Sequence, residues 1–234
     1  MGGRGSSSGK AGSGGGITRT VSGRIYFPDG TKVEFDGDLN YGKKDSTLSP
    51  TVRKEIETWE NKRRKNKFEY AYSVNPDGTP IGSEIKGGRG SVSTPYAYHN
   101  TPDATFTHIH PRGKGQEGYL GGTFSLADLG NFASKANKTE RAAAKEGTYS
   151  ISKTKKFDKD GFMRLARTSD AEFNSSVRAG IKSLNAEYKS STSMSYSEYS
   201  QRAAKIFNNA MIKLHETYRQ NQSKYGYEYT LEQI

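Results

Sequence analysis

Apolar and polar residues alternate on both sides of the segment Pro28-Asp29-Gly30. Ile25 and Phe27 precede it, and Val33 and Phe35 follow it, each pair separated by one polar or aromatic position. A period of two is typical of strands with one buried face, and Pro-Asp-Gly is a common turn sequence. The pattern predicts a β-hairpin near the start of the chain.

A helical period begins at Ser49-Pro50. Val52, Ile56 and Trp59 follow at spacings of four and three residues, which places them on one face of a helix. Serine is a favoured N-cap and proline is favoured at the first helical position. We therefore predict an amphipathic helix that starts at Ser49.

The remaining pattern predicts an α+β fold in which a mixed sheet is flanked by helices. Two long helical patterns, at about 160–189 and 195–222, predict a C-terminal helical pair. The shorter predicted elements are strands at 68–74, 81–85, 104–109 and 148–152, and helices at 125–136 and 139–146.

Composition divides the chain into four predicted segments. Residues 1–18 are rich in Gly and Ser and are expected to be a disordered tail, because they bury too little apolar surface to offset their backbone entropy. Residues 19–48 form a hairpin and loop, 49–157 the principal domain, and 158–234 a helical extension. Only 31% of the residues are hydrophobic, but 15 Tyr and 10 Phe supply a core.

Several classes of protein are excluded by composition. The chain has no Cys, so disulfides, thiolate nucleophiles and Cys-based zinc sites are absent. It has no apolar run of about 18 residues and no apolar signal region, so we expect no membrane span and a cytoplasmic location. The net charge is +11, and one basic run stands out. That run is either a solvated helix end or a patch that binds nucleic acid or an acidic partner, and its members are Lys62, Arg63, Arg64, Lys65 and Lys67.

Candidate chemistry centres on two histidines. His108 and His110 lie two apart at the end of a predicted strand, so they point to one side and can approach one ion. Asp128 follows near the start of a predicted helix and offers a hard oxygen ligand. Two imidazoles and a carboxylate suit Zn²⁺ with an open fourth position. The alternative for Asp128 is a plain capping box with Ser125 as N-cap.

These residues resemble a known signature. His108-Ile109-His110-Pro111, followed by Phe124-Ser125-Leu126-Ala127-Asp128-Leu129, resembles the H-x-H-P…S-x-x-D motif of JAB/MPN (JAMM) metalloproteases. Glu69 opens a segment, Glu69 to Gly78, that is similar to one in RadC-like and phage-type members. The resemblance covers roughly residues 50–155.

The resemblance implies a zinc hydrolase domain over 49–157 that cleaves an amide bond in a protein or peptide. His108, His110 and Asp128 would bind Zn²⁺, Glu69 would act as the base, and Ser125 would stabilise the oxyanion. It also allows a phage-encoded protein acting in the host cytoplasm. If Glu69 were not the base, the alternatives would be Glu84, Glu60 and Glu57. A non-catalytic binding module on the same fold, with a nucleic-acid or host-protein partner, is the rival function.

One spacing departs from the family. Fourteen residues separate His110 from Ser125, more than is usual, and the extra length is Gly-rich. This loop is a candidate lid or substrate-recognition element, and Glu117 within it is a further possible metal ligand. The tentative lid residues are Gly113, Glu117, Gly121 and Gly122.

The other motifs are assigned no catalytic role. His99 is expected to be a surface loop residue, and His215 is expected to be a structural residue within a helix. Gly87 to Gly90 lacks the pattern of a phosphate-binding loop, and no G-x-S-x-G sequence supports a serine nucleophile.

Overall fold

The computed structural model describes residues 19–21, 23–111 and 117–234. It confirms an α+β fold with a mixed sheet flanked by helices. The N-terminal part is a three-stranded antiparallel sheet, β1-β2-β3. Its strands are β1 (Arg19–Val21), β2 (Arg24–Tyr26) and β3 (Lys32–Glu34). The predicted hairpin is thus present as β2 and β3, and β1 adds a third strand. The tail 1–18 lies outside the described residues.

The second sheet has the strand order β5-β4-β6-β7-β8-β9. Neighbouring strands are antiparallel except β6 and β7, which are parallel. Because parallel neighbours need a long crossover, the chain between β6 and β7 carries a helix. The strands are β4 (Tyr70–Val74), β5 (Ile85–Lys86), β6 (Thr105–Ile109), β7 (Thr139–Ala144), β8 (Gly147–Lys153) and β9 (Tyr227–Glu232).

Helices cover both faces of this sheet. They are α1 (Pro50–Arg63), α2 (Tyr96–Asn100), α3 (Leu126–Ser134), α4 (Lys159–Ser190) and α5 (Tyr196–Tyr225). The start of α1 is as predicted: the Ser49 side chain accepts a hydrogen bond from the Val52 backbone N–H at 3.3 Å. Val52, Ile56 and Trp59 are buried against the sheet. No helix in the described part of the chain has an apolar stretch long enough to cross a membrane.

The C-terminal helical pair, α4 and α5, leads back into the sheet. Helix α5 ends at Gly226, whose φ of 68° is left-handed and therefore favours glycine. The chain then forms β9, which pairs with β8 along its whole length. Ile25, Phe132 and Leu231 belong to one hydrophobic cluster, so the three predicted segments after the tail share a core.

Two sequence predictions need correction. Residues 139–146 were predicted as a helix, but they form β7 and the following turn. All six residues of β7 are buried, and this burial overrides the helix propensity of its alanines. The partner of β4 was predicted at 81–85, but β5 begins only at Ile85.

Candidate metal centre

Two histidines lie at the end of the central strand β6. This strand lies between β4 and β7, and its five residues are all buried. The His110 backbone N–H donates to the Ala143 carbonyl at 3.0 Å, which continues the β6–β7 pairing past Ile109. The His108 side chain is 3% exposed and that of His110 is 14% exposed. One imidazole is therefore inside the protein and the other is at its edge.

Asp128 approaches the histidines from the first turn of α3. Its carboxylate closes a capping box with Ser125: the Ser125 hydroxyl accepts from the Asp128 N–H at 3.2 Å, and the Ser125 N–H donates to Asp128 Oδ2 at 2.8 Å. The same Oδ2 lies 3.6 Å from His108 Nε2 and 3.9 Å from His110 Nε2. The two interpretations of Asp128, helix cap and metal ligand, are thus compatible in one geometry.

The three side chains can hold one metal ion, because their ligand atoms all lie within 4.8 Å of one another. The two Nε2 atoms are 2.8 Å apart. In a tetrahedral site with Zn–N bonds of about 2.0–2.1 Å, ligand atoms lie roughly 3.3–3.4 Å apart. Small movements would bring all three distances to that value, and two nitrogens with one oxygen form a donor set that Zn²⁺ accepts.

The hydrogen bond of His110 fixes its tautomer. His110 Nδ1 lies 3.0 Å from the Gly122 carbonyl oxygen, which can only accept. Nδ1 therefore carries the hydrogen, and Nε2 presents a lone pair towards His108 and Asp128. This arrangement is common for metal-ligating histidines. His108 Nδ1, by contrast, has no hydrogen-bond partner among the described residues.

The cluster binds a proton tightly at neutral pH. Burial alone lowers the pKa of His108, but attraction to Asp128 outweighs it and raises the pKa to about 9. Burial raises the pKa of Asp128, but the nearby His108 more than compensates, so the pKa falls well below 3.8. Burial and then the His108 charge lower the pKa of His110. A cation is therefore stabilised beside Asp128.

Glu69 lies next to this cluster. Ala71 of β4 pairs with His108 of β6, and the two strands are antiparallel. Continuing this register by two residues on each strand places Glu69 opposite His110. The Glu69 backbone exchanges hydrogen bonds of 2.8 Å with Gly87 and Gly88, which extend the β4–β5 pairing. Burial, with repulsion from Asp128, raises the pKa of Glu69, although His108 opposes the shift.

The alternative glutamates are engaged elsewhere. Glu84 accepts hydrogen bonds from Trp59 Nε1 and from Arg63. Glu60 is buried on the other face of the sheet and binds Arg141 at 2.7 Å, and Glu57 binds Lys44 at 2.7 Å. None of the three belongs to the group of residues that can hold the metal.

The Ser125 hydroxyl contacts a metal-ligand candidate directly. It donates to Asp128 Oδ2 at 2.7 Å, the oxygen that faces the histidines. In this conformation the hydroxyl supports the carboxylate, and an oxyanion would need it to rotate away.

The tentative lid residues have different surroundings. Gly113 lies outside the described residues, and Glu117 is outside the group that can hold a metal. Gly121 and Gly122 donate their backbone N–H groups to the Glu146 carboxylate, each at 3.0 Å. These two glycines are thus anchored to the turn between β7 and β8, and the Gly122 carbonyl contacts His110 Nδ1.

The structure also brings two unpredicted side chains to the site. His99 was expected on the surface, and this prediction is wrong: it is 8% exposed in α2, its Nε2 lies 2.9 Å from Thr94 Oγ1, and its ring packs on Phe106. His99 is buried because its backbone carbonyl accepts a hydrogen bond from the Asn137 N–H. This bond holds α2 against the segment that connects β6 to β7. Glu140 is paired with Phe106 and lies on the same face as His108.

Glu140 is an unusual buried acid. It is 0% exposed, and both carboxylate oxygens lack a hydrogen-bond partner among the described residues. Burial, and then repulsion from Asp128, raise the pKa of Glu140 well above 4.5. No local pattern marked this residue, because its segment was predicted as a helix.

His215 and the basic run have structural contacts. His215 is 1% exposed in α5, and its Nδ1 lies 3.0 Å from the Tyr229 hydroxyl. Within the basic run, Arg64 is buried and donates to the Gly147 carbonyl at 2.9 Å, and Arg63 binds Glu84. The run is therefore not a continuous basic surface, since Lys62, Lys65 and Lys67 are its exposed members.

Comparison with protein-family models, with curated proteins and with solved structures finds no match to this chain.

Proposed function

We propose that this protein is a zinc-dependent hydrolase of the JAB/MPN type that cleaves an amide bond in a protein or peptide. The observation that carries the proposal is the convergence of His108, His110 and Asp128, from two separate elements, within bonding reach of one ion. A bound Zn²⁺ supplies two things here: it lowers the pKa of a water molecule, and it polarises a carbonyl group.

The exposure of the three side chains supports a reactive site over a purely structural one. His108 is deeply buried, whereas Asp128 is 23% and His110 is 14% exposed. One side of the cluster therefore faces solvent. Three protein ligands with an open fourth position are typical of catalytic zinc, whereas structural zinc has four protein ligands.

Glu69 is the proposed base. Its half-buried carboxylate faces the same cluster, and its raised pKa brings it closer to neutrality, where proton transfer is efficient. Glu69 takes a proton from the attacking water and delivers it to the leaving amine. Ser125, which now donates to Asp128, is the proposed donor to the oxyanion after rotation of its hydroxyl.

Elemental analysis of the purified protein tests the metal site. One zinc per chain is expected, and Asp128→Asn or His108→Asn should lose it. A wild-type protein that binds no divalent metal, even after incubation with Zn²⁺ or Co²⁺, would overturn the proposal.

Hydrolysis is tested with a library of fluorogenic peptides and of isopeptide-linked lysine substrates. Glu69→Gln should retain the metal and lose activity by about 10²–10⁴-fold, the usual contribution of a general base. Glu84→Gln is the matched control, since Glu84 binds Trp59 and Arg63 outside the site. If metal is bound but wild type and Glu69→Gln behave alike, the protein is a metal-binding module and no hydrolase.

A further inference from the structure

Glu146 holds a buried carboxylate in the turn between β7 and β8. It is 0% exposed, and its side chain accepts hydrogen bonds from the Gly121 N–H at 3.0 Å, the Gly122 N–H at 3.0 Å and the Tyr149 hydroxyl at 3.1 Å. Burying a carboxylate is costly unless donors surround it, and charge-assisted bonds to backbone N–H groups are among the strong ones. Glu146 therefore fixes the path of the Gly121-Gly122 backbone.

The two glycines are required for this close approach. A Cβ on Gly121 would lie 2.6 Å from the Ala144 Cβ, and one on Gly122 would lie 2.8 Å from the Met211 Cε. Gly122 also has a φ of +87°, which side chains disfavour. Only a backbone without side chains can lie against β7 and α5 here and reach the Glu146 carboxylate.

The same glycine controls His110. The Gly122 N–H binds Glu146, and the Gly122 carbonyl accepts from His110 Nδ1 at 3.0 Å. A carbonyl that moved or turned away would release the Nδ1 hydrogen, and the neutral ring could then place its hydrogen on Nε2. Such a tautomer cannot bind a metal through Nε2.

We propose that Glu146 is a positioning residue of the metal centre, which acts on His110 through the Gly122 backbone. This inference rests on the metal site of the proposed function. It assigns Gly121 and Gly122 a role in orienting a metal ligand, in addition to any contact with substrate. Mutating outer-sphere partners of this kind typically weakens metal binding by about 10–100-fold.

The test compares Glu146→Gln with wild type. Glutamine has the same shape but places an NH₂ group against a backbone N–H, so one of the two glycine contacts is lost. In the metal-free protein, ¹⁵N NMR of the imidazole ring should show His110 with its hydrogen on Nδ1 in wild type and a mixture of tautomers in the variant. The Kd for Co²⁺ should rise by about 10–100-fold, and the visible spectrum of bound Co²⁺ should change.

Glu232→Gln is the matched control. Glu232 is also a buried carboxylate, but it binds Arg141 and the Asp45 N–H on the other face of the sheet. This control should leave the His110 tautomer and the Co²⁺ spectrum unchanged. Glu146→Asp keeps the charge and withdraws the carboxylate by one methylene, so it should fold and give a smaller loss in the same direction.

The two proposals fail in distinguishable ways. If wild type binds no metal, the proposed function fails, while the tautomer measurement still tests the link from Glu146 to His110. If wild type binds Co²⁺ and both Glu146 variants keep its affinity, its spectrum and the Nδ1–H tautomer, Glu146 is not a positioning residue.

Discussion

The two faces of the main sheet both bury charged groups, but they differ in how those groups are paired. On the α1 face, Glu60 and Glu232 flank Arg141. On the α3 face, Asp128 lies 3.6 Å from His108, and Glu140 lies on the same side of the sheet. In the first group every oxygen of Glu60 and Glu232 accepts a hydrogen bond, and the unpartnered atoms among the described residues are the arginine nitrogens Arg141 Nη1 and Arg64 Nε. In the second group both oxygens of Glu140 and His108 Nδ1 have no partner among the described residues.

The carboxylates of the α1 face are fully engaged. Glu60 accepts from Thr107, from Thr148 and twice from Arg141, at 2.7–3.1 Å. Glu232 accepts from Arg141 and from the Asp45 N–H. Their negative charge is balanced within the protein, so this face has no need of a bound cation.

The α3 face is arranged differently. His108 Nδ1 and both oxygens of Glu140 have no hydrogen-bond partner among the described residues, and His108 holds a proton up to about pH 9. Buried polar groups are normally satisfied, so a buried carboxylate whose two oxygens both lack a hydrogen bond from the described residues sets this face apart from the α1 face. The comparison indicates that pairing, more than the presence of charge, separates the candidate site from the structural network.

The largest expected effect comes from breaking the ion network. Arg141→Met removes the nearest counter-charge of the buried Glu60 and Glu232, which keep only the more distant Arg64 at 3.8 Å and Arg53 at 3.6 Å. It should lower the free energy of unfolding by about 3–5 kcal/mol, as measured by urea denaturation. If the proposed site binds Zn²⁺ in the wild type, the folded variant should bind it with the same affinity. Loss of metal affinity without loss of stability would contradict the division between the two faces.

The second prediction concerns protons and metal. A metal held at the proposed site would require neutral His108, whose pKa is about 9 in the metal-free protein. Binding at pH 7 should therefore release close to one proton from His108, and the apparent affinity should rise about tenfold per pH unit up to pH 9. Calorimetry in two buffers of different ionisation enthalpy measures the release.

The same pKa predicts how stability depends on pH. The pKa of His108 rises from 6.5 in the unfolded chain to about 9 in the folded protein. Its contribution to stability is therefore complete below pH 6.5 and is lost as the pH rises through 9. In Asp128→Asn the pKa of His108 should fall, because Asp128 is the strongest of the groups that raise it and only Glu140 and Glu69 then oppose burial. The loss of stability at high pH should therefore become smaller. An NMR titration in which His108 of the wild type titrates near 6.5 would contradict both predictions.

Local patterns predicted the elements whose signals lie in a few neighbouring residues. Helix α1 was predictable from Ser49 and its apolar stripe, and α4 and α5 from their long periodicity. Strand β7 was not, because a strand buried on both faces does not alternate, and its alanines favour a helix. Strand β9 follows α5 directly and depends on pairing with β8, about 80 residues earlier in the chain.

The candidate site divides in the same way. His108, His110 and Asp128 lie close in sequence and fall on two predicted elements, so their convergence was predictable. Glu140 and Glu146 reach the site only through the pairing of β7 with β6 and β8. Their positions depend on how β7 aligns with β6 and β8, and local sequence patterns do not reveal the alignment of strands that are distant in the chain.

A fourth prediction tests the unsatisfied acid, Glu140. Glu140→Leu removes a buried carboxyl group that accepts no hydrogen bond from the described residues, and it should stabilise the metal-free protein by about 1–3 kcal/mol. The folded pKa of Glu140 lies above 4.5, so the wild type loses stability as the pH rises above that value and the variant does not. The increase in the free energy of unfolding caused by Glu140→Leu should be larger at pH 7 than at pH 4. Glu60→Leu, on the paired face, should destabilise the protein, and similar gains for both variants would remove the distinction.

The smallest expected effect separates the two roles of Ser125. Its hydroxyl caps α3 and also donates to Asp128 Oδ2. Ser125→Ala should cost about 1 kcal/mol of stability, whereas Ser125→Gly should cost only a few tenths, since glycine is a tolerated N-cap. Both variants lose the same hydroxyl contact with Asp128. If that contact orients Asp128 as a metal ligand, both variants should weaken Co²⁺ binding about tenfold. This is the low end of the range for outer-sphere partners, because the Ser125 backbone N–H still donates to the Asp128 carboxylate.

Ser195→Ala supplies the control for helix capping alone. Ser195 caps α5 by accepting from the Glu198 N–H at 3.1 Å, so its loss should lower stability with no effect on Co²⁺ affinity. Should metal affinity instead follow helix stability, falling in Ser125→Ala but not in Ser125→Gly, the hydroxyl acts only as a cap. The Ser125 side chain would then have a purely structural role, and the backbone of α3 would hold Asp128 in position.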